Sequence, residues 1–172
     1  MRTLPELKKE YDVRLTIVGN GTEMERLQNL AKELSVYSIV EFTGGQSNIG
    51  PYLSAGNIFV YPTICKEVFG ISLVEAMAYG LLCVSNEVGG IPEILEDNIN
   101  GFMNNDISVE GLTSTIVRAI RCLENGNYLD VVRNAKKTAR KFSIKNTCKR
   151  LDAIYEEVTD GNSQCADSRS TS

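Results

Sequence analysis

Two carboxylates, Glu67 and Glu75, stand eight positions apart in the segment EVFGISLVEAMAYG, with Gly70 between them. Leu73, Val74, Met77 and Ala78 recur at helical spacing, so a helix is expected to begin near Phe69 or Gly70 and to run to about Tyr79. Glu67 then precedes the helix and Glu75 lies inside it. The first amide N–H groups of such a helix, from Phe69 through Gly70 and Ile71 to Ser72, have no intrahelical acceptor. They carry the positive end of the helix dipole and suit a phosphate. Carboxylates do not bind phosphate, but they accept hydrogen bonds from hydroxyls. Two of them around an anion site fit a ligand with hydroxyls on both sides of a diphosphate, which is the layout of a nucleoside-diphosphate sugar.

The surrounding pattern alternates strands and helices. Helices are expected over 3–10, 23–34, 109–123, 128–141 and 145–158, with short helical turns over 49–53 and after Pro92. Strands are expected over 13–18, 39–42, 58–61, 82–85 and 101–103. The chain is thus read as α/β, a Rossmann-like parallel sheet with helices on both faces and ligands at the carboxyl ends of the strands. That rule places Gly19, Thr43, Pro62 and Glu67 on one rim. Residues 1–158 read as one domain. The polar stretch 159–172 reads as a disordered tail.

Gly19 and Gly21 in IVGNG invite a dinucleotide-binding reading. The full fingerprint needs a third glycine where this chain has Met24, and Glu41 is an unconvincing match for the acidic residue about twenty positions on. The pair is equally accounted for by a tight turn into a helix. Thr43 and Gly44 end a strand on the same rim, where a nucleobase could be held through backbone groups or where the chain simply turns.

Composition bounds the answer without naming it. With 172 residues, 42% of them hydrophobic, the chain can bury one substantial core. A formal charge of −4 and the lack of a basic stripe before Arg133 argue against nucleic-acid binding. The later cluster, which includes Lys136, Lys137, Arg140 and Lys141, reads as a solvated face or as contact with an anionic membrane. No apolar run approaches the roughly 20 residues of a membrane span, and no secretory signal follows Met1. Five cysteines without CxxC pairing, in a chain with no histidine, argue against a metal site. Cys83, in the run LLCV, reads as a core residue, and reduced thiols suit the cytosol.

Glu67 and Glu75 with Phe69 and Gly70 between them, the following Ala76, Met77, Ala78 and Gly80, and VGGIPEI from Val88 to Ile94 resemble the donor-binding domain of the retaining GT-B-fold glycosyltransferases of family four. LTIVGNGTEMERLQNLA from Leu15 to Ala31 and VEFTG from Val40 to Gly44 match that family's earlier elements in the same order. The resemblance covers about residues 1–158 and implies the C-terminal half of a GT-B fold. It implies that Glu67 is catalytic, contacting hydroxyls of the transferred sugar and stabilising positive charge at its anomeric carbon, and that Glu75 holds the ribose. It adds Gly19, Thr43, Gly44, Phe69, Gly70 and Ile71 to the donor-binding set, with no metal or other cofactor. Val68 departs from the family, which has a small residue there, and narrows the approach of the sugar.

The same resemblance implies partners. The family draws its acceptor site and a histidine from an amino-terminal domain, and an Arg and a Lys that neutralise the leaving diphosphate lie upstream of the matched region. Arg14 and Lys66 are near the rim by sequence but match neither. The chain therefore reads as a donor-binding half that works with an acceptor domain or a separate acceptor subunit, whether as a truncated piece, a split product or a remnant. The implied setting is cytoplasmic surface-polysaccharide assembly, at the inner face of the membrane. The alternative is a non-catalytic nucleotide-sugar-binding module that serves a partner.

Overall fold

The computed structural model describes residues 1–65 and 68–167, with only the helical backbone described from 160 onward. Seven helices and five strands alternate among the described residues: α1 (Leu4–Glu10), β1 (Leu15–Val18), α2 (Met24–Glu33), β2 (Val40–Gly44), α3 (Gly50–Ala55), β3 (Ile58–Tyr61), α4 (Ile71–Tyr79), β4 (Leu82–Asn86), β5 (Phe102–Asn104), α5 (Val109–Glu124), α6 (Tyr128–Lys141) and α7 (Ile144–Asp167). Every strand pairing is parallel, as the alternation of strand and helix requires.

The ladders do not join into one sheet as the sequence suggests. β1 pairs with β2 in a two-stranded sheet, and β3, β4 and β5 form a second sheet in that order. The register of the first pair shifts between Ile17 and Val18, so that Val18 lies opposite Gly44. β4 is buried at all five positions and alternates between two layers. Leu82 and Val84 pack with Leu7 of α1 and with Ile116 and Ala119 of α5. Cys83 packs with Leu73, Ala76 and Met77 of α4 and with Ala135 of α6. Leu4, on the same short helix as Leu7, belongs instead to the cluster of Ala31, Val36 and Val40 beside β1 and β2. α1 therefore straddles both sheets.

Helix α4 is the element that frames the candidate site, and its ends are set by glycines. Gly70 precedes it with φ of 72°, and Gly80 ends it with φ of 90°, conformations that side-chain-bearing residues adopt only with strain. The Gly80 amide donates to the Ala76 and Met77 carbonyls and the Leu81 amide to that of Ala76, closing the last turn. A Cβ at Gly80 would lie 2.6 Å from Lys136 Cε. One member of the basic cluster thus lies across the negative end of α4, where a cation is stabilising.

Two further boundaries differ from expectation. β5 covers Phe102–Asn104, one residue beyond the expected strand. α7 continues to Asp167 through the stretch read as a disordered tail. Residues 168–172 lie outside the described residues.

Candidate functional site

The carboxyl ends of the strands converge as the parallel arrangement demands. At the end of the first sheet the Gly19 amide donates to the Gly44 carbonyl at 2.8 Å, which ties the two strand ends together. Gly19 has φ of 146° and Gly44 φ of 70°. Thr43 Oγ1 donates within this crossing, to the carbonyls of Gly44 at 3.1 Å and Ile17 at 3.4 Å, and Gln46 Nε2 donates to the Thr43 carbonyl at 2.8 Å. Asn20 lies over the turn, with its Oδ1 only 3.2 Å from where a Cβ at Gly44 would be. Backbone close to ligand space is therefore available here, held rigid by its own hydrogen bonds.

At the end of the second sheet a buried polar network fixes the loop that leads from β3 to α4. Ser85 Oγ donates to the Tyr61 carbonyl at 3.0 Å, and Asn86 Nδ2 donates to the Thr63 carbonyl at 2.9 Å. Asn104 Nδ2 donates to Asn86 Oδ1 at 2.8 Å and to the Asp106 carbonyl at 2.7 Å. Ser85, Asn86 and Asn104 are all buried, so these bonds have no competition from water. Sequence reasoning missed this trio. Its signal was a polar residue directly after each apolar strand run, LLCV and FM.

Gly70 packs tightly under the loop. A Cβ there would approach Ile91 Cδ1 to 3.1 Å and Tyr61 Cε1 to 3.5 Å. Ile91 belongs to the VGGIPEI motif, which accordingly serves as a floor beneath the start of α4. Phe69 is partly buried and meets Phe142 edge to face, with ring centroids 5.1 Å apart. The structure thus gives Phe69 an anchoring contact with the end of α6. The helix begins one residue later than the later of the two expected starts. The Leu73 and Val74 amides both donate to the Gly70 carbonyl, so Ile71 and Ser72 are the first helical residues with no intrahelical acceptor for their N–H groups.

Ile71 and Glu75 lie one turn apart on α4; Ile71 is exposed and Glu75 lies at the surface of the same helix. Ile71 is 67% exposed, and Ile64 and Val68 of the preceding loop are 72% and 89% exposed. Apolar side chains thus stand in solvent around the helix start. Among the described residues Glu75 has no ion pair or side-chain hydrogen-bond partner, which leaves its carboxylate available to a ligand. Glu67 and Lys66 lie outside the described residues.

Arg14 does not belong on this rim. It immediately precedes β1 and so sits at the amino end of that strand, the opposite end from Gly19. Among the described residues, Arg2 is a basic residue near the carboxyl ends. It lines a cavity of about 220 Å³ with Pro62, Ile64 and Asn86, and a second one of about 510 Å³ with Thr22 and Glu25 at the start of α2. Arg2 thereby marks where the carboxyl ends of the two sheets meet. Among the described residues no group of three or more His, Cys, Asp or Glu side chains could hold a metal ion. Cys83 is fully buried, and burial pushes its thiol pKa far up. Among the described residues no helix is long and apolar enough to cross a membrane.

Known proteins share the sequence pattern and the fold of this chain. The chain is 29% identical over 163 residues to the N-acetyl-alpha-D-glucosaminyl L-malate synthase of Bacillus anthracis, covering 92% of this chain and 41% of that protein. It is 30% identical over 161 residues to a subunit of the phosphatidylinositol N-acetylglucosaminyltransferase of Arabidopsis thaliana, covering 92% of this chain and 35% of that protein. The chain thus spans about two fifths of the length of these relatives or less. The structure of Anabaena Alr3699/HepE in complex with UDP superposes with a TM-score of 0.77 at 21% identity, over 91% of this chain and 45% of that one, and shows the shared fold. Residues 1–122 match the family described as Glycosyl transferases group 1. With that match covering well over half of its length, the chain belongs to the glycosyl transferases group 1 family.

Proposed function

We propose that this chain is the C-terminal, donor-binding domain of a retaining glycosyltransferase, which moves a hexose from a nucleoside-diphosphate sugar to a glycan or lipid-linked acceptor. The observation that carries the reading is the pairing of Glu75, which has no side-chain partner among the described residues, with the open start of α4, one turn away and framed by the left-handed Gly70. In this reading the Ile71 and Ser72 amides receive the diphosphate. Glu75 accepts hydrogen bonds from the ribose hydroxyls. Thr43 and Gly44 face the nucleobase through backbone groups, and the Gly19 turn borders the diphosphate. Exposed Ile71 covers an apolar face of the nucleoside. Glu67 keeps the role implied by the motif, contact with the transferred sugar and stabilisation of its anomeric carbon as the leaving diphosphate departs.

The UDP held by the Anabaena neighbour supports a nucleotide ligand, and the N-acetylglucosaminyl groups named for both relatives support a hexose-type donor. The phosphatidylinositol named for the plant relative supports a lipid-linked class of acceptor and work beside a membrane. The acceptor site comes from a further domain or subunit, and the reaction uses no metal. Glu75→Ala tests the assignment. Loss of the ribose hydrogen bonds should weaken nucleotide binding by about 1 to 3 kcal/mol, read by calorimetry, and unchanged affinity would remove Glu75 from the site. Glu67→Ala should spare the bare nucleoside diphosphate and weaken only the intact sugar nucleotide; an equal loss for both would contradict a sugar-side role.

A further inference from the structure

Asn20, Asn100 and Asn125 are each followed by a glycine. That pair of residues carries its own chemistry. The peptide nitrogen of a glycine has no Cβ beside it, so it can reach the side-chain carbonyl carbon of the asparagine before it and close a five-membered ring. Closure needs a carboxamide not held by hydrogen bonds, a glycine N–H without an acceptor, and a backbone able to turn that nitrogen toward the side chain. The fold meets these conditions very differently at the three places.

Asn100 fails the first and the last. It is buried, its Oδ1 accepts from the Glu96 amide at 2.7 Å, and its Nδ2 donates to the Ile94 carbonyl at 3.0 Å and to Thr138 Oγ1 at 3.1 Å. The Cys83 carbonyl oxygen lies 2.8 Å from the Cβ position at Gly101, which leaves that backbone no room to turn. Asn125 is exposed, but it ends α5 with φ of −81° and ψ of −1°, which points the Gly126 nitrogen away from the side chain. The Gly126 amide also donates to the Leu123 carbonyl at 3.2 Å. Asn20 meets every condition. It is exposed, and among the described residues neither its carboxamide nor the Gly21 amide makes a hydrogen bond. The carboxamide rests across Gly44 and Gly45 by contact alone, with Nδ2 2.7 Å from the Cβ position at Gly45. Nothing stands within 4 Å of the Cβ position at Gly21, so the turn has space to rearrange.

We propose that Asn20 is a site of spontaneous deamidation, by which a neutral carboxamide becomes a carboxylate on the turn that borders the donor diphosphate, and donor affinity falls as the chain ages. The loss of affinity rests on the donor-binding reading, whereas the conversion does not. Hydroxide takes the Gly21 amide proton, and the nitrogen attacks Asn20 Cγ. The Cγ–Nδ2 bond breaks, ammonia leaves, and a succinimide ring joins the two residues. Water then opens the ring at one of its two carbonyls. Opening at Cγ restores the backbone with an aspartate at position 20. Opening at the main-chain carbonyl leaves an isoaspartate, in which the backbone runs through an extra methylene. Nothing is oxidised or reduced: one water is consumed, one ammonia is released, and the chain gains one negative charge. That charge adjoins Gly19, whose amide is already tied to the Gly44 carbonyl. Like charges brought together at a binding surface cost affinity, and salt reduces the cost.

The test is peptide mass mapping of the full chain held at mildly alkaline pH, folded and in urea. In urea the three asparagines should convert at similar rates, because only their sequence then matters. In the folded chain Asn20 should keep its urea rate to within about threefold, while Asn100 and Asn125 slow by about tenfold or more. A folded Asn20 that converts no faster than Asn125, or that slows as much as Asn100, would overturn the proposal. Gly21→Ala should slow the conversion by about tenfold or more, since the added Cβ shields the nitrogen; an unchanged rate would count equally against it. Affinity is read by calorimetry with UDP, GDP and ADP. The aged chain and fresh Asn20→Asp should both bind the preferred nucleotide about tenfold or more weakly than the fresh parent, with the gap narrowing in high salt. Asn20→Ser adds no charge and has no amide to lose, so it should bind like the parent before and after ageing. Parent-like affinity in the aged chain, or an equal loss on ageing in Asn20→Ser, would overturn the link to the donor. If none of the three nucleotides binds the fresh parent, the donor-binding reading fails and the mass readout still decides the site.

Discussion

Replacing Gly70 with alanine tests whether the start of α4 is held in a conformation reserved for glycine. Two costs add. A residue with a Cβ in the left-handed region costs about 1 to 2 kcal/mol, and the new Cβ meets Ile91 Cδ1 at 3.1 Å, so the buried isoleucine must give by a few tenths of an ångström. Together these amount to about 2 kcal/mol. In a domain of this size that lowers the melting temperature by roughly 4 to 8 °C. Two other glycines separate the terms. Gly126 has φ of 74° with nothing within 4 Å of its Cβ position, so Gly126→Ala should show the backbone cost alone. Gly21 has neither feature, and Gly21→Ala should stay within about 0.5 kcal/mol of the parent. Urea unfolding of the three variants gives the order directly. A Gly70→Ala protein as stable as Gly21→Ala would refute the reasoning, and with it the claim that Gly70 sets the direction in which the Ile71 and Ser72 amides point.

The buried trio at the strand ends makes a second prediction. Asn104→Ala removes two side-chain donations and leaves Asn86 Oδ1 without its donor, so stability should fall by about 1 to 3 kcal/mol in denaturant unfolding. A loss under about half a kilocalorie would mean that the network does not hold the loop. The cysteines make a third. Cys65 and Cys148 are exposed and should react with a thiol reagent in the folded protein, whereas Cys83 should react only on unfolding. Because burial raises the Cys83 pKa, its neutral form favours folding. That contribution is fully present below the unfolded thiol value, near about pH 8.5 to 9, and is lost as pH rises above it. Prompt labelling of Cys83 at neutral pH would contradict its place in the core.

Much of this molecule is legible in its sequence where one short pattern decides one element. The apolar run Ile58–Tyr61 halted by Pro62 marks β3, and the spacing of Val131, Ala135 and Ala139 marks the buried face of α6, whose limits Tyr128 and Lys141 match the pattern. The glycines around α4 are legible too, because few other residues tolerate those backbone angles. What depends on distant partners is not. Nothing local in Asn86 or Asn104 says that they meet across two strands. Nothing in the strand pattern says that, among the described residues, β1 and β2 pair apart from β3, β4 and β5, since pairing is a property of two strands. Arg14 is misplaced when proximity in sequence to Gly19 stands in for position in space; a strand carries its two ends to opposite sides of the sheet.

The measurement that bears most directly on the central claim is calorimetric titration of this chain with UDP, GDP, ADP and their common sugar conjugates. The expected result is saturable binding of one base family, tighter with the sugar attached and weakened by Glu75→Ala. No binding of any of these ligands at millimolar concentration, in a chain whose Val84 and Phe59 amides are protected, would contradict the donor-binding role.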